Sequence, residues 1–293
     1  APEYRRVPGR PDLTVDDVDR ALASIRRQPT RKKRLSPSSV RRIHATLRSA
    51  LNDAVRRRMI PYNPAALAEL EPSRRPKVRP WQPEELGAFL DFAASHRFGV
   101  LFEVLAMTGL RRGEIVGLRW GDVDLERRVL WVRQAVVQVG YESIVGAPKT
   151  ASGEERRVDL DAATVGSLIA HRLRQDAEKA AFGAAYEDHD LVFAREDGGY
   201  LKPEVVSKTF WDLIAAIGLR RVRLHDLRHG QASIMLAAGV DMTVVSKRLG
   251  HSGIRITSDT YAHLLEGVGR QAAEAAASLV PRGTPPRARV DRG

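Results

Sequence analysis

Between Arg223 and His263 the chain gathers polar reagents into a stretch that otherwise has the pattern of packed helix. His225, Arg228 and His229 fall at i, i+3 and i+4, the spacing that puts side chains on one helix face. His251 follows Leu249 and Gly250, and Tyr261 comes ten residues later. An arginine fork beside imidazole donors suits a phosphoryl group, because the guanidinium stays charged and offers planar, paired N–H donors to phosphate oxygens. A tyrosine hydroxyl is a weak nucleophile at neutral pH, with an unperturbed pKa of about 10, and needs cationic neighbours to react. Taken singly, each of these residues is usually a half-buried structural residue. Taken together they point to attack on a phosphorus centre.

A metal site competes for the same residues, since His225 and His229 also have ligand spacing on a helix. A zincin-type helix needs a Glu after its first His, whereas Asp226 stands there, and the chain has no cysteine. No metal ligands are therefore assigned.

The segments H-D-L-R-H (225–229), L-G-H-S (249–252) and D-T-Y-A-H (259–263) resemble the C-terminal signature of the tyrosine recombinases, the phage integrase family. A second resemblance is T-G-L-R-R-G-E-I (108–115), which is similar to the family's first arginine motif and assigns the catalytic arginine to Arg111 rather than Arg112. Glu114 would then orient Arg111. A third is P-K-T (148–150) ahead of a strand. Its turn-rich composition alone makes Lys149 an ordinary hairpin lysine, but the resemblance implies that it is the catalytic lysine. The whole catalytic set of the family, Arg111, Lys149, His225, Arg228, His251 and Tyr261, is thus filled in the expected order. Gly230 departs from the pattern, where the family usually has Thr or Ser.

The resemblance implies a site-specific DNA recombinase that cleaves and rejoins strands through a 3′-phosphotyrosyl link, with no metal or nucleotide cofactor. Its implied partners are a double-stranded DNA attachment site, other copies in a homotetramer docked through the C-terminal helix, and accessory DNA-bending or directionality proteins. Alternatives are a type IB topoisomerase-like relaxing enzyme, or a catalytically silent sequence-specific regulator. The intact Lys149 and Tyr261 speak against the regulator.

Charge is distributed unevenly. The formal net charge is +12, and residues 1 to 80 hold 20 Lys and Arg against 8 Asp and Glu, while the remainder holds 28 of each sign. Clustered cations bind phosphate by releasing counterions, so the N-terminal quarter reads as a DNA clamp. Aromatic residues make up only 6%, too few for a platform that stacks single-stranded bases. Without cysteine the chain has no disulfides, which is compatible with a reducing cytoplasm, where binding to DNA would place it at the nucleoid. The longest apolar run, Phe98 to Leu110, is interrupted by Glu103, so no membrane span is expected.

The elements that must position these residues make a mainly α protein with a small antiparallel β-sheet, in two domains. Thr14 caps a helix to about Arg27. A second helix from Pro37 to Met59 turns Val40, Ile43, Leu47, Leu51, Ala54 and Val55 inward and its arginines outward. Arg34, Arg41, Arg42 and Arg48 are the candidate DNA contacts. Asn63, Pro64 and Ala65 resemble the turn that closes the family's core-binding domain, so residues 1–72 form that domain, 73–82 a linker, 83–280 the catalytic domain and 281–293 a disordered tail. The stretch before Leu13 is short for the family, so an initial core-binding helix and any arm-binding domain are expected to be missing. In the larger domain, helices are expected near 83–95, 100–110, 161–187, 203–217, 225–238 and 264–279. Strands are expected at 129–132, 144–145 and 157–160, with a further short one at 191–193.

Overall fold

The computed structural model describes residues 13–27, 29–30, 33–70, 79–140, 142–147, 155–254 and 279. It divides into two compact units, Ala1–Lys77 and Val78–Gly293. The break lies inside the expected linker, but residues 79–82 are not linker. Trp81 is buried in the core of the larger unit, and its indole Nε1 donates to the Arg220 carbonyl at 2.9 Å. Arg220 in turn donates to the carbonyls of Arg79 and Pro80 at 2.9 and 3.0 Å. A tryptophan among prolines looks like linker composition, and only tertiary packing shows that it is core.

The small unit holds α1 (Val15–Arg27), a two-residue hairpin of β1 (Pro29–Thr30) and β2 (Lys33–Arg34), and α2 (Pro37–Arg56). Thr14 caps α1 as its sequence requires: its hydroxyl accepts from Asp17 N at 3.2 Å, and the Asp17 carboxylate accepts from Thr14 N at 3.0 Å. On α2 the buried stripe differs from the expected one. Val40 and His44 are buried while Ile43 is exposed, because the His44 ring reaches the Ala65 carbonyl at 2.7 Å and takes the inward position. Asn63 closes the unit. Its amide donates to Arg48 O and Asn52 Oδ1, and its carbonyl oxygen accepts from Ala65 N.

In the larger unit α3 (Pro83–Ala93), α4 (Gly99–Thr108), α6 (Ala162–Phe182), α7 (Pro203–Ile217) and α8 (Leu224–Ala237) surround one core. The α4 sequence is apolar nearly all round, so this helix lies inside, packed against α3, α6 and α8. Trp81, Phe89, Phe102 and Phe210 fill the centre with ring centroids 5.1–5.7 Å apart. Short α5 (Arg112–Val116) follows α4 directly, and α9 (Met242–Leu249) packs on α8. A three-stranded antiparallel sheet has the order β3 (Val123–Asp124), β4 (Val129–Val132), β7 (Arg156–Asp159). A separate hairpin pairs β5 (Ala135–Val139) with β6 (Glu142–Gly146).

The expected helices at 203–217 and 225–238 match α7 and α8 to within one residue. The expected strand at 191–193 is reduced to isolated bridges, Arg119 with Leu191 and Ala194 with Tyr200. Residues 264–278 of the expected last helix lie outside the described residues, as do the tail beyond Leu279, Lys149 and Tyr261. No helix among the described residues is long and apolar enough to cross a membrane.

Candidate active site

Three separate segments converge in the larger unit. The first is the turn between α4 and α5. Gly109 ends α4 with φ +66°, a left-handed conformation, and a Cβ there would fall 2.4 Å from Leu249 Cδ2. This glycine lets the chain reverse and bring α9 close. Arg111 then opens α5 as its N-cap, not as the last residue of α4, and its backbone N–H donates to Glu114 Oε2 at 2.8 Å.

The second segment is α8. Arg228 is buried, and its guanidinium bridges two other segments, donating to Gly109 O at 2.7 Å and to Leu249 O at 2.5 Å. Two residues earlier, Asp226 closes the helix start, accepting from the Arg223 backbone N–H at 2.8 Å and from the Arg223 side chain. The His225 and His229 rings meet edge to face, with centroids 5.1 Å apart. The zinc alternative therefore finds its carboxylate turned toward Arg223.

The third segment is the C-terminal turn of α9. Gly250 caps it with φ +64°, and its carbonyl accepts from Arg111 Nη2 at 2.7 Å. His251 follows, its backbone N–H held by Ser246 O. Helix C-termini expose carbonyls that attract cations, and here both Arg111 and Arg228 are tethered to that one turn.

The electrostatics agree with this convergence. Burial pulls His251 down to about 4, and the nearby charges of Arg228, Arg111, His229 and His225 add to the effect. His225 is likewise drawn to about 4, first by burial and then by His229 and Arg228, although its open edge lets water relieve part of that penalty. His229 is lowered by burial as well. Near pH 7 the site holds neutral imidazoles beside fixed guanidinium charges. That arrangement is short of negative charge and ready to accept an anion.

Glu114 sits fully buried beneath Arg111 and accepts from Arg111 Nη1 at 2.7 Å. Burial opposes its charge, but Arg156 and Arg111 overcome that cost and hold the carboxyl at about 2. Arg156 was not singled out from the sequence. The available signal was strand alternation: Arg156 and Val158 share the inward phase of β7, so a charged residue occupies a core position. Of the remaining candidates, Arg41, Arg42 and Arg48 are exposed on α2, and the backbone of Arg34 pairs with Pro29.

The architecture is shared with solved recombinase structures. The Tn1549 transposon integrase in complex with transposon right end DNA superposes with a TM-score of 0.75 at 20% identity, over 90% of this chain and 86% of that one. A lambda integrase dimer bound to a COC' core site gives a TM-score of 0.60 at 18% identity, over 85% of this chain and 80% of that one. At such identities these likenesses establish the fold. The description "Phage integrase family" fits residues 80–267, well over half of the chain, and the chain belongs to that family. It is 28% identical over 248 residues to a tyrosine recombinase XerC-like protein of Caldanaerobacter subterraneus, covering 78% of this chain and 63% of that protein. It is 26% identical over 242 residues to the ICEBs1 integrase of Bacillus subtilis, covering 82% and 65% respectively. The chain thus spans a little under two thirds of the length of these relatives.

Proposed function

We propose that this chain is a site-specific DNA recombinase that cleaves and rejoins strands through Tyr261. The observation that carries the reading is the convergence of Arg111, Arg228 and His251. Three segments far apart in sequence are tied by guanidinium bonds to Gly109, Leu249 and Gly250 carbonyls, in a site whose imidazoles are held neutral by burial and by neighbouring cations.

In this mechanism a scissile phosphodiester enters the cationic site. Fixed guanidinium groups on the non-bridging oxygens stabilise the charge that grows there in the transition state more than the charge of the ground state. Arg111 and Arg228 supply those groups, and His251 donates a hydrogen bond. The phosphate's own negative charge counters the arginines and raises His225, which then takes the tyrosine proton. The Tyr261 oxygen bonds to phosphorus while the bond to the 5′ oxygen breaks, and Lys149 gives that oxygen a proton. Attack by a 5′ hydroxyl on the phosphotyrosine reverses the sequence and rejoins the DNA. No metal ion or nucleotide takes part.

Within the same reading Arg34, Arg41, Arg42 and Arg48 contact the phosphate backbone of a double-stranded attachment site. The protein works as a homotetramer on DNA in the cytoplasm, assembled through its C-terminal helix, with accessory DNA-bending proteins as further partners. The test is a nicked suicide duplex carrying the attachment site, incubated in excess EDTA. A covalent protein–DNA adduct is expected, and it should vanish in Tyr261→Phe while binding persists. An adduct that survives this substitution, or one that needs added zinc or magnesium, would overturn the reading.

A further inference from the structure

Beneath the candidate site the described residues form a closed ring of charge and carbonyls. Arg156 on β7 presents both terminal nitrogens to Glu114, Nη2 to Oε2 at 2.5 Å and Nη1 to Oε1 at 3.1 Å. Its Nε donates to Arg248 O at 3.2 Å, three residues before His251. Glu114 holds Arg111 at 2.7 Å, and Arg111 returns to Gly250 O at 2.7 Å. Arg156 and Glu114 are 5% and 1% exposed at their side chains, against 25% for Arg111. Two members are therefore sealed inside, and the third faces the site.

We propose that Arg156 is a positioning residue: through Glu114 it aims Arg111, and through the 248–250 turn it fixes His251. The inference rests on the recombinase reading of Arg111. Left with Arg111 alone, the Glu114 carboxylate would lose its bidentate partner and drag Arg111 inward to complete its hydrogen bonds. Arg156 fills that demand and leaves Arg111 turned toward the α9 terminus. Gly250 belongs to the same device, since a Cβ there would fall 2.9 Å from Arg156 Cδ. A buried pair of this kind adds little net stability, because desolvation offsets the attraction. Its worth lies in geometry. An error of about 1 Å in a catalytic group can cost about 100-fold in rate.

The test compares Arg156→Gln with Arg156→Lys, which keeps the charge Glu114 needs but loses the fork. Adduct formation on the suicide duplex should fall about 100-fold in Arg156→Gln and less in Arg156→Lys. Adding Arg156→Lys to Arg111→Lys should cost less than the product of the two single effects, because part of the Arg156 effect passes through Arg111. On a duplex with a neutral methylphosphonate at the scissile position, where no anionic oxygen awaits Arg111, the Arg156 defect should shrink. A merely structural role would slow both substrates equally. Independently of cleavage, NMR titration of the imidazoles should show His251 rising from about 4 in either variant. His171, stacked between Trp120 and Phe193, serves as an unmoved control. If the native chain forms no adduct, the recombinase reading fails while the His251 titration still decides whether Arg156 holds the ring. An unmoved His251, or multiplicative effects of the two substitutions, would overturn the proposal.

Discussion

The two units use arginine in opposite ways. The N-terminal unit spreads it over a helix surface: Arg41, Arg42 and Arg48 are exposed, and Arg56 and Arg57 share Asp53 in solvent. The larger unit is nearly neutral, yet it buries Arg156 and Arg228 and pins each to backbone carbonyls or to a buried carboxylate. Exposed cations act on a phosphate backbone at a distance and through counterion release. Buried, anchored cations act at one point, where little reorganisation remains to be made during reaction. Net charge therefore marks where cations are spread over a surface, and it does not reveal the cations buried inside a nearly neutral unit.

The sharpest challenge to this contrast is a pair of substitutions read side by side. Arg228→Ala should slow adduct formation about 100- to 1,000-fold. It should also destabilise the larger unit by about 1–3 kcal/mol, since Gly109 and Leu249 would lose a charged donor. Replacing Arg41, Arg42 and Arg48 together by Gln should leave that unit's stability untouched and instead flatten the salt dependence of DNA binding, by about 0.9 in log–log slope for each phosphate that is no longer neutralised. All four tryptophans, Trp81, Trp120, Trp131 and Trp211, lie in the larger unit, so their fluorescence follows its unfolding alone. A large rate loss from the triple substitution with an unchanged slope would erase the distinction.

A smaller effect should appear with pH. Burial and neighbouring cations hold His251 down to about 4 in the folded chain and lower His225 in the same direction, against about 6.5 when unfolded. Over that window the unfolded chain binds more protons, so the stability these neutral rings contribute is complete above about pH 6.5 and is lost as the pH falls toward 4. Tryptophan-detected unfolding midpoints should fall across this range, and the His225→Gln, His251→Gln double variant should flatten the decline. The exposed arginines of the small unit should contribute nothing to it.

The smallest expected change is at Gly230. An added Cβ meets only Pro80 Cβ, at an ordinary 3.7 Å. Gly230→Ala should therefore stabilise α8 by about 0.5–1 kcal/mol, seen as a later tryptophan transition, with cleavage retained.

Much of this was written in the chain. The apolar run of α4, the i, i+3, i+4 spacing on α8 and the T-G-L-R-R-G-E segment announce a buried helix and a set of clustered guanidinium and imidazole groups, because helical periodicity and residue chemistry are local properties. The Thr14 cap and the helix boundaries of α7 and α8 were legible for the same reason. Ile43 and His44 show where local reading stops: both fit the α2 stripe, and a carbonyl twenty-one residues away chose between them. Residue types and their spacing were enough to say which side chains could bind a phosphate and roughly which helices carry them. Three-dimensional packing was needed to put Trp81 in the core, to lay Arg156 under Glu114, and to gather Arg111 and Arg228 at the α9 terminus. Those outcomes depend on backbone carbonyls, which every residue possesses and which no residue type reveals until folding brings distant segments together.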